Sequence, residues 1–417
     1  MHEELMEEIL TEENAEAAWL AVKRNGGAPG IDRMRTSELR AHIRKHWESI
    51  RQKLLKGEYL PTPVKRVEIP KPNGGGTRML GIPTVVDRWI QQMLLQKLQP
   101  IFDPTFSKHS YGFRPGRSAH DAVKAAQGFV REGKEWVVDM DITKFFDYVN
   151  HDILMNRVGK KIRDKRVMKL IGRYLRAGIM IEGVVQPKEK GTPQGSPISP
   201  LLANIYLDAL DQELEQRALS FCRYADDCNI YVSSQRAAER VLKSVTTWIE
   251  KNLRLQVNAT KSGTGQPWER KFLGFTINPK GLITAAPQSI ERFKAKVRIL
   301  WDSRQSLPSE KLRDNWLAYI QGWWNYFRLA EDRQNIFDRE PWIRRHIRKC
   351  FWLRWHDKRG RLRALRRLGL KGRQLKVASS SKGAWRIAKS PSLHKAIGNA
   401  RLRCHRFLMP SDLAAAM

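Results

Sequence analysis

Two adjacent carboxylates sit inside an otherwise apolar, strand-forming run: Phe221-Cys222-Arg223-Tyr224-Ala225-Asp226-Asp227-Cys228-Asn229-Ile230-Tyr231-Val232. Aromatic and β-branched residues on both sides of a short polar break predict a β-hairpin with the acids at its tip. Such a tip is a poor place for charge unless something positive binds there. Hard divalent cations such as Mg²⁺ take carboxylate oxygens and keep further positions for water and substrate phosphates. The tip is therefore a candidate centre for metal-assisted phosphoryl transfer. An aromatic-x-Asp-Asp string also arises by chance, as an ordinary solvated turn, in about one chain in ten of this length. Its meaning depends on what accompanies it.

The chain has 417 residues, 41% of them hydrophobic, enough to bury a substantial core in two or three domains. Its net charge of +33 exceeds what solubility requires and calls for a polyanionic partner, nucleic acid first and an anionic membrane surface second. No apolar run approaches the roughly 18 to 20 residues that span a bilayer, and the acidic start Met1-His2-Glu3-Glu4-Leu5 is unlike a signal peptide. The expectation is a soluble cytoplasmic protein, associated with the nucleoid if with anything, and without a membrane partner. Cysteines stand only at 222, 228, 350 and 404, with neither Cys-x-x-Cys spacing nor disulfide-scaffold density. Cys222 and Cys228, on the two hairpin strands, read as small buried thiols rather than zinc ligands.

Charge is unevenly spread. Residues 288–417 hold 31 Lys and Arg against 10 Asp and Glu, a net of +21, and between Trp342 and Leu408 the only acid is Asp357. A one-signed stretch of this length argues for a phosphate-tracking surface. Trp342, Phe351, Trp352, Trp355 and Trp385 are interleaved with it, mostly as the apolar anchors a basic domain needs. Upstream, one amphipathic helix is expected over about 3–24, ending at Asn25-Gly26-Gly27-Ala28-Pro29-Gly30, and a second over about 36–56. Alternation predicts strands over 65–70 and 77–82, forming a hairpin around a glycine-rich cationic tip. A helix follows over 87–98, a valine-rich strand over 136–142, and another helix over 199–219. Strands and helices alternate without regular βαβ spacing, and helical patterning dominates from about Pro287, so the class is α+β.

Two acids on one turn cannot surround two cations, so a two-metal site needs a third from a neighbouring strand. Val137-Val138-Asp139-Met140-Asp141-Ile142-Thr143-Lys144-Phe145-Phe146-Asp147 offers three. Asp139 and Asp141 fall on the same side of a strand, and periodicity does not choose between them.

At this point the sequence resembles the reverse transcriptases, or maturases, encoded by bacterial group II introns, over nearly its whole length. The motifs that carry the resemblance run in order: Gly30-Ile31-Asp32; Val67-Glu68-Ile69-Pro70-Lys71-Pro72 through Arg78 to Asp87-Arg88; and Ser110-Tyr111-Gly112-Phe113-Arg114-Pro115-Gly116-Arg117-Ser118. Gly191-Thr192-Pro193-Gln194-Gly195-Ser196-Pro197-Ile198-Ser199-Pro200-Leu201-Leu202-Ala203-Asn204 comes next, then the Tyr-Ala-Asp-Asp hairpin, Phe272-Leu273-Gly274-Phe275 and Gly322-Trp323-Trp324-Asn325-Tyr326-Phe327. Ser196 stands where close relatives commonly carry a second glycine, a mild departure.

The resemblance implies a right-hand polymerase: fingers and an antiparallel palm over 1–285, with an N-terminal extension over about 1–35. A helical thumb or maturase region over 286–370 and a basic nucleic-acid-binding segment over 371–417 complete it. It assigns the third acid to Asp141, five residues before an aromatic, Phe146, that screens the sugar. Asp141, Asp226 and Asp227, with the Ile142 carbonyl as a further candidate, would hold two Mg²⁺, for which Mn²⁺ could substitute. Lys71, Arg78, Phe146, Gln194, Gly195 and Lys261 would form the nucleotide site. Arg114, Arg117, Phe272, Leu273 and Gly274 would contact template and primer. The implied partners are group II intron RNA, an RNA template with DNA primer, dNTPs and target DNA. The implied activity is RNA-directed DNA synthesis together with assistance to splicing and intron mobility. A host-adopted enzyme of DNA repair or phage defence, or a splicing cofactor with dispensable polymerase, is the alternative. Neither a Cys-rich His-Asn-His endonuclease domain nor an RNase H domain is expected.

Overall fold

The computed structural model describes residues 3–70, 77–181, 184–186, 191 and 195–416. It divides into two compact units, Met1–Gln266 and Pro267–Met417.

The first unit begins with α1 (Leu5–Ile9) and α2 (Glu12–Asn25) rather than one continuous helix. Thr11 is the reason: its hydroxyl accepts from the Asn14 N–H and starts a new helix, with Glu12 and Glu13 favourably placed in the first turn. After α3 (Leu39–Leu55), β1 (Val64–Pro70) and β2 (Thr77–Ile82) pair antiparallel from Lys65↔Ile82 to Pro70↔Thr77. α4 (Val85–Phe102) follows at once, N-capped by Thr84. Buried Asp87 in its first turn accepts from the hydroxyls of Tyr59 (2.9 Å), Thr84 (2.9 Å) and Tyr174 (3.1 Å) and from the Thr62 N–H (3.0 Å). Arg88 donates to the Gly26 and Ala28 carbonyls, and a Cβ on Gly30 would lie 2.7 Å from the Thr84 backbone. Asp87, Arg88 and Gly30 thus knit the N-terminal segment to α4.

α5 (Ala119–Arg131) leads into β3 (Trp136–Asp141), then α6 (Phe145–Tyr148), α7 (His151–Gly159) and α8 (Lys165–Arg176). β4 (Ile179–Ile181) pairs parallel with β1 and antiparallel with β5 (Val184–Gln186). α9 (Ser199–Gln216), β6 (Ser220–Tyr224), β7 (Asp227–Val232), α10 (Gln235–Leu253) and β8 (Gly263–Gly265) complete the unit. Its main sheet has the order β6-β7-β3-β8, all antiparallel. Val138, Met140, Phe221, Cys228, Ile230 and Val232 belong to the core with α9 and α10, as the two-residue alternation of strands dictates. Cys222 and Cys228 are both buried thiols.

In the second unit, β9 (Phe275–Ile277) and β10 (Ile283–Ala285) form a hairpin, and helices follow: α11 (Pro287–Leu300), α12 (Ser309–Phe327), α13 (Gln334–Phe337), α14 (Glu340–Arg354) and α15 (Lys358–Arg367). Short helices occupy 384–387, 391–396, 399–404 and 410–415. Phe293, Trp316, Trp352, Leu393 and Phe407 share one core, so residues 371–417 pack with the helices before them. Buried Arg348 reinforces this by donating to the Ile397 carbonyl and the Asn399 side chain. Among the described residues no helix is long and apolar enough to cross a membrane.

Candidate active site

The site grows out of strand register. Tyr224 pairs with Asp227 across the hairpin, so Ala225 and Asp226 form a two-residue turn, with Ala225 left-handed at φ 57°. Asp227 in turn lies directly opposite Asp141 on β3, whereas Asp139 lies opposite Asn229, farther from the tip. The register thus puts Asp141 and Asp227 side by side on one sheet face with Asp226 next to them.

The backbone of Asp141 is held from its other side. Its N–H donates to the Ser262 hydroxyl (2.8 Å), and its carbonyl accepts from the Asn258 N–H (2.8 Å). Ile142 makes an antiparallel bridge with Val257, flanked by the Thr143 N–H to Gln256 carbonyl bond. A bridge of that pattern turns the Ile142 carbonyl away from Val257, toward the side of β7. The turn that grips Asp141 also carries Lys261, whose Nζ stands 3.6 Å from Asp141 Oδ2. Both side chains are substantially exposed, so the pair contributes little to stability.

Beneath the turn lies a fully buried Arg223. All five of its N–H donors are used: on both Asp211 oxygens (2.6 and 2.5 Å), Asn204 Oδ1 (3.1 Å), Ser110 Oγ (2.8 Å) and the Ala225 carbonyl (2.8 Å). The last bond fixes the turn itself. Asn204 also donates to the Gly112 carbonyl (2.8 Å), and a Cβ on Gly112 would come within 2.3 Å of Ala225 N. Only glycine lets that loop lie against the acid turn. Burial pushes the Asp211 carboxyl up, against the pull of its bidentate pairing with Arg223, and that pairing favours the charged guanidinium.

Around these acids the structure sorts the other expected residues. Phe146 is half-buried, edge-on to Phe145 at 5.2 Å, in an α6 that starts from left-handed Lys144. Gly191 backs it at φ 85°, where a Cβ would sit 2.5 Å from the Phe146 carbonyl oxygen. Gly195, at φ 105° and exposed, would bring a Cβ 3.4 Å from the Gly81 carbonyl of β2. Ser196, the departure from glycine, is buried and hydrogen-bonded to Gln91. Arg78 lies on β2 opposite Ile69. Lys71, Gln194 and the side chain of Arg78 lie outside the described part of the structure.

Arg114 requires a correction. Its guanidinium is buried against Asp103 and donates to the Ser107, Ser110 and Asp103 carbonyls, so no donor remains for a template phosphate. Arg117 is half-exposed, over the Tyr111 ring with a bond to the Lys108 carbonyl. Phe272, Leu273 and Gly274 belong to the second unit, where Phe272 and Phe275 close a tight turn through left-handed Leu273 and Gly274. The Tyr326 hydroxyl holds the Leu273 carbonyl at 2.7 Å.

The donor set suits a hard cation, since Asp141, Asp226 and Asp227 offer carboxylate oxygens with no thiol or imidazole among them. Among the described residues no group of three or more acidic, His or Cys side chains stands close enough to hold an ion unaided.

Comparison with known proteins identifies the family. Residues 69–277 match the family described as reverse transcriptase (RNA-dependent DNA polymerase), and residues 290–369 the group II intron maturase-specific domain. Protein YkfC of Escherichia coli is 34% identical over 287 residues, covering 60% of this chain and 75% of YkfC. The group II intron-encoded protein LtrA of Lactococcus lactis is 41% identical over 178 residues, 42% of this chain but 29% of LtrA. A chain of a partial Cas6-RT-Cas1–Cas2 complex aligns at 28% identity and TM-score 0.39, over 59% of this chain and 42% of that one. With its paired palm acids and its maturase region, the chain belongs to the reverse transcriptase family, as an RNA-directed DNA polymerase of the group II intron kind.

Proposed function

We propose that the chain copies RNA into DNA by two-metal nucleotidyl transfer at Asp141, Asp226 and Asp227, and that it binds intron RNA to assist splicing and intron mobility. The observation that carries the catalytic part is the Asp141↔Asp227 register with Asp226 in the adjoining turn. These carboxylates would hold two Mg²⁺, which when bound activate the primer 3′-hydroxyl and stabilise the leaving pyrophosphate. The Arg223 network keeps the acid turn in place before substrate arrives, so little reorganisation is needed during reaction. Lys261, 3.6 Å from Asp141, would lie beside the triphosphate of a nucleotide bound at these acids. Phe146 would screen the sugar 2′ position, with Gly191 fixing its helix. Lys71, Arg78, Gln194 and Gly195 would complete the nucleotide site. Arg117 of the first unit would contact template, and Phe272, Leu273 and Gly274, at the start of the second, would contact primer.

The maturase region over 286–370 and the basic segment over 371–417 would supply the RNA and target-DNA surface. Its support is the net +21 of residues 288–417. Incorporation of dTTP on poly(rA)/oligo(dT) with Mg²⁺ tests the polymerase. It should vanish in Asp226→Ala/Asp227→Ala, and activity surviving that change would refute the assignment. Splicing of the cognate intron RNA by the same variant tests the maturase role separately.

A further inference from the structure

One cleft in the second unit is used by none of the chemistry above. It measures about 280 Å³ and lies where the start of α12, the ends of α14 and α15, and residues 397–407 meet. Its walls join flat apolar surface to cations. Phe351 and Trp355 are half-buried, in contrast to the fully covered Trp352 between them, and Phe351 stands edge-to-face with Phe407 at 5.8 Å. Arg401 is held in the wall by the Leu368 (2.8 Å) and Ala396 (2.9 Å) carbonyls, and Arg367 is exposed at the rim. Glu310 is the one acid of the lining, and Arg313 beside it is paired with Asp314.

We propose that this cleft takes a single unstacked base from single-stranded RNA, the base stacking on Trp355 and Phe351 and its phosphate lying against Arg367 and Arg401. The proposal rests on the reading that this unit binds RNA, and it names the form of RNA and the place. Three features lead to it. A volume of 280 Å³ has room for one planar heterocycle but not for the edge of a duplex. Partly exposed aromatic surface flanked by arginine is the arrangement that stacks bases and tracks phosphate without reading sequence. The excess of cations over acid suits a phosphate-bearing occupant rather than a cationic or neutral one, and the aromatic side chains suit a base. One wall, residues 397–407, also lies beyond the region that matches the maturase-specific domain, so the cleft is a feature of how this chain's last segment packs onto that domain.

The test uses the full-length protein and a short unstructured oligoribonucleotide bearing one 2-aminopurine, alone or annealed to its complement. Stacking should quench 2-aminopurine when the single strand binds. Trp355→Leu should restore most of the fluorescence and weaken single-strand binding about 5- to 100-fold, with duplex binding little changed. Trp355→Tyr, which keeps an aromatic face, should recover most of the quench and guards against misfolding as the cause. Arg367→Gln should lower the salt slope of binding by about one. Normal quench and affinity in Trp355→Leu would overturn the proposal while leaving RNA binding by the unit intact. Failure of the wild type to bind either RNA would overturn the underlying reading as well. A concentration-dependent dimer that Trp355→Leu abolishes would give the cleft to a second copy of the chain instead.

Discussion

The acid turn of the first unit and the cationic cleft of the second solve opposite problems. At the turn, three like charges must be held together, and the protein does so through backbone register, a left-handed Ala225 and an arginine with every donor engaged. In the cleft, arginines in contact with water repel one another far less, and aromatic packing supplies the form. Position is fixed by buried polar networks, whereas attraction to a polyanion is left to exposed charge. The first is sensitive to single atoms and the second to salt.

That contrast can be broken at several points. The largest effect is expected at Asp227→Asn, which removes a charge but not volume: primer extension should fall roughly a thousandfold, several kcal/mol of barrier, with thermal stability unchanged or raised. Arg223→Met should cost about 3–5 kcal/mol of stability by leaving Asp211 buried without its partner. Adding Asp211→Leu should return much of that stability but not the activity, since the Ala225 carbonyl still lacks its donor; denaturant melts and extension assays on the same proteins separate the two. Gly112→Ala should lower extension tenfold or more and stability by about 1–3 kcal/mol, because its methyl would need the space of Ala225 N.

The smallest effect tests the second unit. His346 lies between Trp342 (4.3 Å) and Trp385 (4.8 Å), and burial, followed by repulsion from Lys349, Arg298 and Arg345, pushes it down to about 4. The unfolded chain therefore binds this proton first as pH falls. The stability involved is present above about pH 6.5 and is lost on the way down to about 4. After allowance for solvent screening of a partly exposed ring, α14 should lose about 1–2 kcal/mol of hydrogen-exchange protection between pH 7 and 4.5, and His346→Phe should flatten that dependence.

Much of this was legible in the sequence, unevenly. The hairpin, the β1–β2 pair and the long helices follow from periodicity, and the acid tip from its apolar flanks. Register was not legible: alternation puts Asp139 and Asp141 on one face, and only the pairing of β3 with β7 shows which of them meets Asp227. The Arg223 network is not legible because its members come from three separate segments, yet two of them carry a local signal. Arg223 shares its strand face with buried Phe221, and Asp211 sits among Leu207, Leu210 and Leu214 on one helix stripe. A charge at an inward position of a strand and another on an apolar stripe are each rare unless paired. Arg114 misled for the reverse reason: in a loop rich in glycine and proline it reads as exposed, and nothing local reveals that Asp103 is waiting for it.

The sheet order carries a consequence for how the protein is made. β3 is central, but its neighbours β7 and β8 follow it late in the chain, so at the ribosome β3 is complete well before either exists. At typical translation rates of about 5–20 residues per second, that interval is on the order of ten seconds. During it the strand bearing Asp141 has two unsatisfied edges and an apolar face. Nascent chains stalled before residue 227 should therefore depend on chaperones in a way that chains stalled after residue 266 do not.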